Sequence, residues 1–406
     1  MLALRPYLHW IAEQQSSMHE RLWQWSAINS GSFNLAGLQQ MAQQLEQAFS
    51  ALQAEQPQWC ALTPLEFVDE QGKMCKTELG QALLLTKRPR ATYQILLCGH
   101  MDTVFSPQHT FQKPRLLADN ILNGPGVADM KGGLLIMLYA LLALEQTPWA
   151  SNIGWQVFIN PDEEIGSRGS AHWLTQLAMG KQLALVFEPA IDDSGTLAAQ
   201  RKGSGDFTLV AHGRAAHAGR APEQGRNALR AIADAIVALD QLNQQRQGVT
   251  VNVGRVIGGG PINIVPDLAV SYFGVRTITT DDEHWLTTQF QQIIDKINQR
   301  DGIKLELHGY FTRTPKPLTP ETQQLLELIK SIGTELHLTI KWQATGGCCD
   351  GNNLAAAGLP VVDTLGVRGG KIHSQDEYVL LDSLVERAQL TAALLIKIAM
   401  QAESTE

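Results

Sequence analysis

The chain has 406 residues, more than one hydrophobic core normally serves, so two domains are the default expectation. Hydrophobic residues make up 44% and charged residues 18%, the balance of a globular protein, and a net charge of -8 argues against a nucleic-acid partner. Apolar runs such as Gly133 to Leu144 are too short to span a bilayer and read as core helix, so no membrane partner is expected. The stretch Met1 to Trp10 lacks the charged start and long apolar run of a signal peptide. Five cysteines (Cys60, Cys75, Cys98, Cys348, Cys349) form no C-x-x-C pair and are odd in number, which predicts a reduced, cytoplasmic protein.

Residues 17–56 read as helices, with Leu22, Trp23 and Trp25, then Leu35, Leu38, Met41, Leu45 and Phe49, at helical spacing. From 93 to 200 the pattern alternates: a strand at 94–98, the apolar helix after Lys131, strands near 154–160 and 183–187, and a helical stretch near 169–179. That alternation predicts an α/β fold with a central, mainly parallel sheet. The character changes at Arg201-Lys202-Gly203-Ser204-Gly205. A strand at 207–211, a helix at 227–245, strands at 250–257 and 267–276, a helix at 281–299 and a strand at 303–310 follow. This βαββαβ order is that of a ferredoxin-like split unit, a self-sufficient small domain. Pro315 and Pro317 mark its exit, and helices at 320–332 and 382–400 return the chain to the first body. The expected division is 1–200 with 316–406 as one domain and 201–315 as an insertion. Hinge passages near 201–205 and 314–318, which carry Gly or Pro, would join them.

The acids Asp162-Glu163-Glu164 end the apolar run Trp155 to Ile159. Strand alternation sends neighbouring side chains to opposite sides, so Glu163 and Glu164 should face different partners. Either they are solvated at a turn, or one holds a metal while the other stays free as a base. Gly99-His100-Met101-Asp102 directly follows the strand at 95–98. His100 there either satisfies a turn carbonyl or coordinates a metal, with Asp102 placed to accept the other ring N–H. Glycines flank Asp129 in the stretch Gly124 to Gly133 and allow close approach to an ion; the competing role for Asp129 is a helix N-cap. Glu188 closes another strand with a carboxylate, and His373 follows Gly369-Gly370 in a Gly-rich loop. Two histidines and several carboxylates therefore fall where loops leave the strands of one sheet.

This ordered set of motifs resembles the two-zinc metallopeptidases that include acetylornithine deacetylase, succinyl-diaminopimelate desuccinylase, aminoacylase and glutamate carboxypeptidase. The resemblance spans nearly the whole chain. It implies a zinc-peptidase-like catalytic domain with an inserted lid and dimerisation domain. It also implies two zinc ions, with cobalt or manganese as alternatives. Asp129 would bridge both ions, His100 and Glu188 would complete one, and Glu164 and His373 the other. Glu163 would be the general base and Asp102 the carboxylate that orients His100. Three ligand carboxylates against two divalent ions leave a net positive charge, which favours a bridging hydroxide. Each ion would keep one open position, as a catalytic site requires, and no cysteine is needed.

On the inserted domain His212 sits inside a strand pattern and reads as structural. By resemblance, His217 reaches a two-fold related active site and stabilises the oxyanion, which implies a homodimer. Asn263, Arg276 and Gly347 match substrate-binding positions, and the planar fork of Arg276 suits a carboxylate. Cys348 stands after Gly346-Gly347, where the family usually has Thr or Ser. The stretch from His212 through Leu229 most closely resembles glutamate carboxypeptidase. The implied reaction is hydrolysis of an amide or peptide bond in a small substrate with a free carboxylate. The alternatives are N-acyl amino acid deacylation and, from another class, a non-catalytic binding protein on the same scaffold. Asp162 is expected at the surface or capping a turn.

Overall fold

The computed structural model describes residues 2–403. Its central sheet has six strands in the order Gln58–Cys60, Ala82–Lys87, Ile153–Asn160, Tyr93–His100, Leu183–Val186, Val361–Val362. The last four run parallel, as expected, while the first two are antiparallel at one edge, so the sheet is mixed. The strand Ala82–Lys87, second from that edge, carries no distinct sequence signal because a short apolar run reads equally as helix or strand. Alternation along the strands splits the core in two. Leu83, Leu85, Ile95, Leu97, Trp155 and Val157 face one side, and Leu84, Leu96, Cys98 and Phe158 the other.

On the first side the helix Lys131–Glu145 is buried almost all round, because it lies between the sheet and the helix Asp382–Glu403. Gly133 permits that approach: a Cβ there would stand 2.0 Å from the Phe187 carbonyl oxygen. The helices Ala171–Ala178 and Asp350–Ala356 cover the second side. Strand register sets the site. Cys98 pairs with both Phe158 and Val186, and His100 with Asn160, so three parallel strands end together. His100, the acids after Asn160 and Glu188 therefore leave the sheet along one edge, where ligands collect in open α/β folds.

The insertion forms its own antiparallel sheet, ordered Thr250–Gly258, Leu268–Thr277, Gly203–His212, Lys304–Arg313. With the helices Ala228–Asp240 and Thr280–Asn298, the element order is the expected βαββαβ. Asn227 caps the first helix and a Thr279–Asp282 capping box starts the second. Phe207 anchors the core, its ring 5.4 Å from Phe273 and 5.3 Å from Phe290 and Phe311. A hairpin of the first body, Leu65–Val68 with Met74–Thr77, lies against the other sheet face. There Val68 packs with Val210 and Val270, and Tyr272 donates to the Val68 carbonyl at 3.2 Å.

Gly203 and Gly205 lie in the first strand of the insertion, and Gly205 is needed there because a Cβ would come within 2.7 Å of the Phe207 ring. The crossing points are Arg201 and Lys316, which exchange two backbone hydrogen bonds of 3.0 Å. Arg201 donates to Oδ1 of the fully buried Asp363 carboxylate, and Lys316 Nζ is ion-paired with its Oδ2, each at 2.9 Å. One buried carboxylate thus gathers the entry and the exit of the insertion.

Candidate metal centre

His100 is the last residue of its strand and is buried. Its Nε2 lies 3.2 Å from Asp129 Oδ1 and 3.8 Å from Glu188 Oε1. On the other edge of the ring, Nδ1 lies 3.1 Å from the Asp102 carbonyl and 3.3 Å from Asp102 Oδ1. Asp102 also accepts from the Glu163 and Glu164 backbone N–H groups, both at 3.2 Å, and from Ser32 Oγ at 2.7 Å. It therefore holds an imidazole and an acid-bearing turn together. Ser32 gave no sequence signal, since it lies in a loop between helices seventy residues away in sequence.

Asp129 does not cap the helix that follows it, which starts at Lys131 without a side-chain cap. Its carboxylate instead divides between two imidazoles: Oδ1 faces His100 and Oδ2 stands 3.3 Å from His373 Nε2. The loop that presents it wraps Glu377, whose carboxylate accepts the N–H groups of Gly126, Ala128 and Asp129 at 2.9–3.1 Å. His373 Nε2 also lies 3.0 Å from Glu164 Oε2.

The expected strand alternation does not separate Glu163 from Glu164. The strand stops at Asn160, and the two glutamates stand on a single 3₁₀ turn, Glu163–Ile165. Successive residues of such a turn diverge by roughly a third of a circle, which still sends the carboxylates apart. Asp162 is not at the surface, and its side chain holds the segment beyond this turn. It is fully buried and accepts from Gly169 N, Ser170 N and Ser170 Oγ at 2.6–3.1 Å.

Glu164 turns toward His373, whereas Glu163 turns toward a cation that no motif announced. Arg313, the last residue of the insertion's final strand, places Nη2 2.6 Å from Glu163 Oε1, 3.0 Å from the Glu163 carbonyl and 2.9 Å from Ser167 Oγ. A lone arginine at a strand end carries no spacing to recognise. Behind it sits Asp350, buried, accepting from Ser167 Oγ and from Asn160 Nδ2 at 2.8 Å.

The cluster holds more negative charge than its surroundings easily accommodate. Burial pushes the Glu163 carboxyl up, with Arg313 pulling against it, and burial likewise raises Glu188. Burial and the neighbouring Asp129 raise Glu164 to about 7. Hydrogen bonds to Asp129 and Glu164 push His373 up to about 11. Burial would raise Asp129 too, but the two imidazoles outweigh it and hold that carboxyl well below its usual range.

The donor set fits a divalent metal pair. His100, Glu163 and Glu188, and again His100, Asp129 and Glu164, bring ligand atoms within 4.8 Å of one another. Glu188 Oε1 is buried with no hydrogen-bond partner, a costly state that a cation would relieve.

These residues floor a cleft of about 590 Å³ whose walls include Arg276, Gly347, Cys348, Arg201 and Lys371. Arg276 is half-buried, and the bond from its Nη1 to the Val275 carbonyl leaves the rest of its fork available. His217 and Asn263 are not brought to this cleft. They are exposed neighbours on the insertion, joined through Ala218 N donating to the Asn263 carbonyl at 2.8 Å.

The model of "Peptidase family M20/M25/M40" matches residues 96–397. The chain is 26% identical over 342 residues to carboxypeptidase G2 of Pseudomonas sp. (strain RS-16), covering 82% of this chain and 81% of that protein. It is 29% identical over 304 residues to a succinyl-diaminopimelate desuccinylase of Pseudoalteromonas translucida (strain TAC 125), covering 71% and 79%. Its fold matches that of the YXEP protein of Bacillus subtilis, described as a dinuclear metal binding peptidase from the M20 family. The TM-score is 0.66 at 14% identity, with 96% of this chain and 99% of that one covered. The family match spans most of the sheet, the whole insertion and every residue of the cluster, so the chain belongs to peptidase family M20/M25/M40 and is a metallopeptidase or amidohydrolase.

Proposed function

We propose that this protein removes the terminal residue of a small substrate that carries a free carboxylate, using two zinc ions. Asp129 would be shared, with His100 and Glu188 on one ion and Glu164 and His373 on the other. The observation that carries this reading is the division of Asp129, one oxygen toward each imidazole, with a further carboxylate beside each. When bound, such a pair of ions supplies an acidified water and polarises the scissile carbonyl. Glu163 takes the proton of the attacking water on its carboxylate and returns it to the leaving nitrogen. Asp102 keeps the His100 ring turned toward Asp129, and Arg276 offers a planar fork to the substrate carboxylate beside the Gly347 loop. Metal analysis of the purified protein should find two ions per chain; a metal-free protein that still hydrolyses substrate would contradict the assignment.

Carboxypeptidase action is favoured by the likeness to carboxypeptidase G2, and deacylation by the likeness to the desuccinylase. A panel of N-acyl amino acids against glutamate-terminated peptides separates the two by kcat/KM. We further propose a homodimer in which His217 and Asn263 serve the neighbouring subunit's cleft, because both are exposed and remote from their own. Mixing inactive His217→Ala and Glu163→Gln proteins should then restore partial activity, whereas activity that stays absent would count against exchange. Five free cysteines fit a reducing, cytoplasmic setting, and no described helix is long and apolar enough to cross a membrane.

A further inference from the structure

We propose that Arg313 is a positioning residue for Glu163, so that the insertion, not the central sheet, sets the base. This inference rests on the reading of Glu163 as the base. Glu163 stands on a short turn whose backbone is pinned by Asp102, but nothing on that turn fixes its side chain. The only hydrogen bond to its carboxylate among the described residues comes from Arg313 Nη2, at 2.6 Å to Oε1. The same nitrogen holds the Glu163 carbonyl, so one donor grips the residue at both ends. Arg313 is itself held from behind, by Ser167 Oγ at 2.9 Å and by Asp350 Oδ1 at 3.8 Å. Ser167 in turn donates to Asp350, which Asn160 also holds. These partners are nearly all buried, so the grip is shielded from competing water.

Chain connectivity gives the grip its consequence. Arg313 ends the strand Lys304–Arg313 and so belongs to the inserted sheet, while Glu163, Ser167 and Asp350 belong to the first body. The crossing point at Lys316 is three residues further on. Rotation of the insertion about Arg201 and Lys316 would draw the guanidinium away and release Glu163. The base is therefore aligned only while the insertion sits against the sheet edge.

Arg313 also borders the cleft, so a direct contact with substrate is the competing role. The two arginines differ in where their engaged nitrogen points. Arg276 Nη1 bonds the carbonyl of its own neighbour on the strand, whereas Arg313 Nη2 reaches three acceptors of the first body, Glu163 Oε1 among them, although its Nε keeps no partner.

The test compares Arg313→Gln, Arg313→Lys, Glu163→Gln and the double variant Arg313→Gln/Glu163→Gln, each assayed for metal content, kcat and KM. Arg313→Gln should keep its metal and its KM and lose kcat on the order of 100-fold, the effect of a misplaced catalytic group. Arg313→Lys, which retains a donor, should recover part of that loss. Because Arg313 acts through Glu163, the double variant should be no slower than Glu163→Gln alone. A raised KM with unchanged kcat in Arg313→Gln would make Arg313 a substrate contact and overturn the inference. So would a further loss in the double variant. An active Glu163→Gln protein would instead overturn the base assignment itself, a separate outcome. If Arg313→Gln fails to fold, Arg313→Lys and Ser167→Ala carry the same comparison, with kcat falling at constant KM expected for both.

Discussion

The sheet edge carries the buried cluster and the tip of the insertion carries His217 and Asn263, and the two regions are built differently. At the sheet edge three candidate ligands are held through buried partners: His100 by Asp102, the Asp129 loop by Glu377, and the turn that bears Glu164 by Asp102. At the tip, His217 and Asn263 are exposed on two loops of the insertion that pair with each other. A group that binds a metal needs its direction set in advance, and buried hydrogen bonds supply that. A group that must reach a second cleft needs the opposite, an unobstructed approach. Arg313 stands between these two cases, carried on the insertion but buried in the first body's network.

That contrast can be broken at several points. The largest effect belongs to Asp129→Ala, which removes the group facing both imidazoles. Both metals should be lost and turnover fall to background; a protein that keeps two ions would show that Asp129 is not shared. At the exposed tip, His217→Ala should cost about 10²–10³ in kcat while leaving metal content and melting temperature unchanged, the signature of a lost oxyanion donor. An unstable His217→Ala protein would place His217 in the fold instead.

Asp363→Asn examines the junction between the two regions. Burial would raise the Asp363 carboxyl, but Arg201 and Lys316 outweigh it and hold it below its usual range. A depressed carboxylate gives stability that is present above its unfolded value of about 3.9 and lost as pH falls through the folded value. At neutral pH the variant should therefore lose about 3–5 kcal/mol, the cost of leaving two buried cations without their partner. The gap from wild type should narrow in acid, as read by denaturant titration at pH 7 and pH 3. A gap that widens in acid would contradict the sign.

The smallest effect is expected from Ser32→Ala, which removes one hydrogen bond from Asp102. About 1.5–3 kcal/mol at most is at stake for a bond to a charged group. It should appear as weaker metal retention at constant KM, measured by competition with a chelator, and Ser32→Thr should restore it.

Much of this was legible in the chain itself. Continuous apolar runs followed closely by His100, Glu163 and Glu188 locate strand ends, and strand ends locate the cluster. The βαββαβ order likewise emerges from alternation of pattern. Other features could not be read, for a common reason. Ser32 on Asp102, Glu377 on the Asp129 loop, Arg313 on Glu163 and Asp363 on the two crossing points are contacts through space between distant segments. Each is a single polar residue with no period and no spacing to mark it. The 3₁₀ turn under Glu163 was hidden differently, since an apolar run shows where a strand is strong but not where its ladder stops. Close packing at Gly203 and Gly205 could not be read either, because glycine marks a tight approach and a hinge alike.

The division of labour between two adjacent glutamates is most directly tested by replacing each with glutamine and counting metal and turnover together. Glu163→Gln should keep two ions per chain and lose about 10²–10⁴ in kcat, the range of a general base. Glu164→Gln should lose one ion, with turnover following the metal lost. Loss of metal from Glu163→Gln, with full turnover per remaining site, would contradict the assignment of base and ligand.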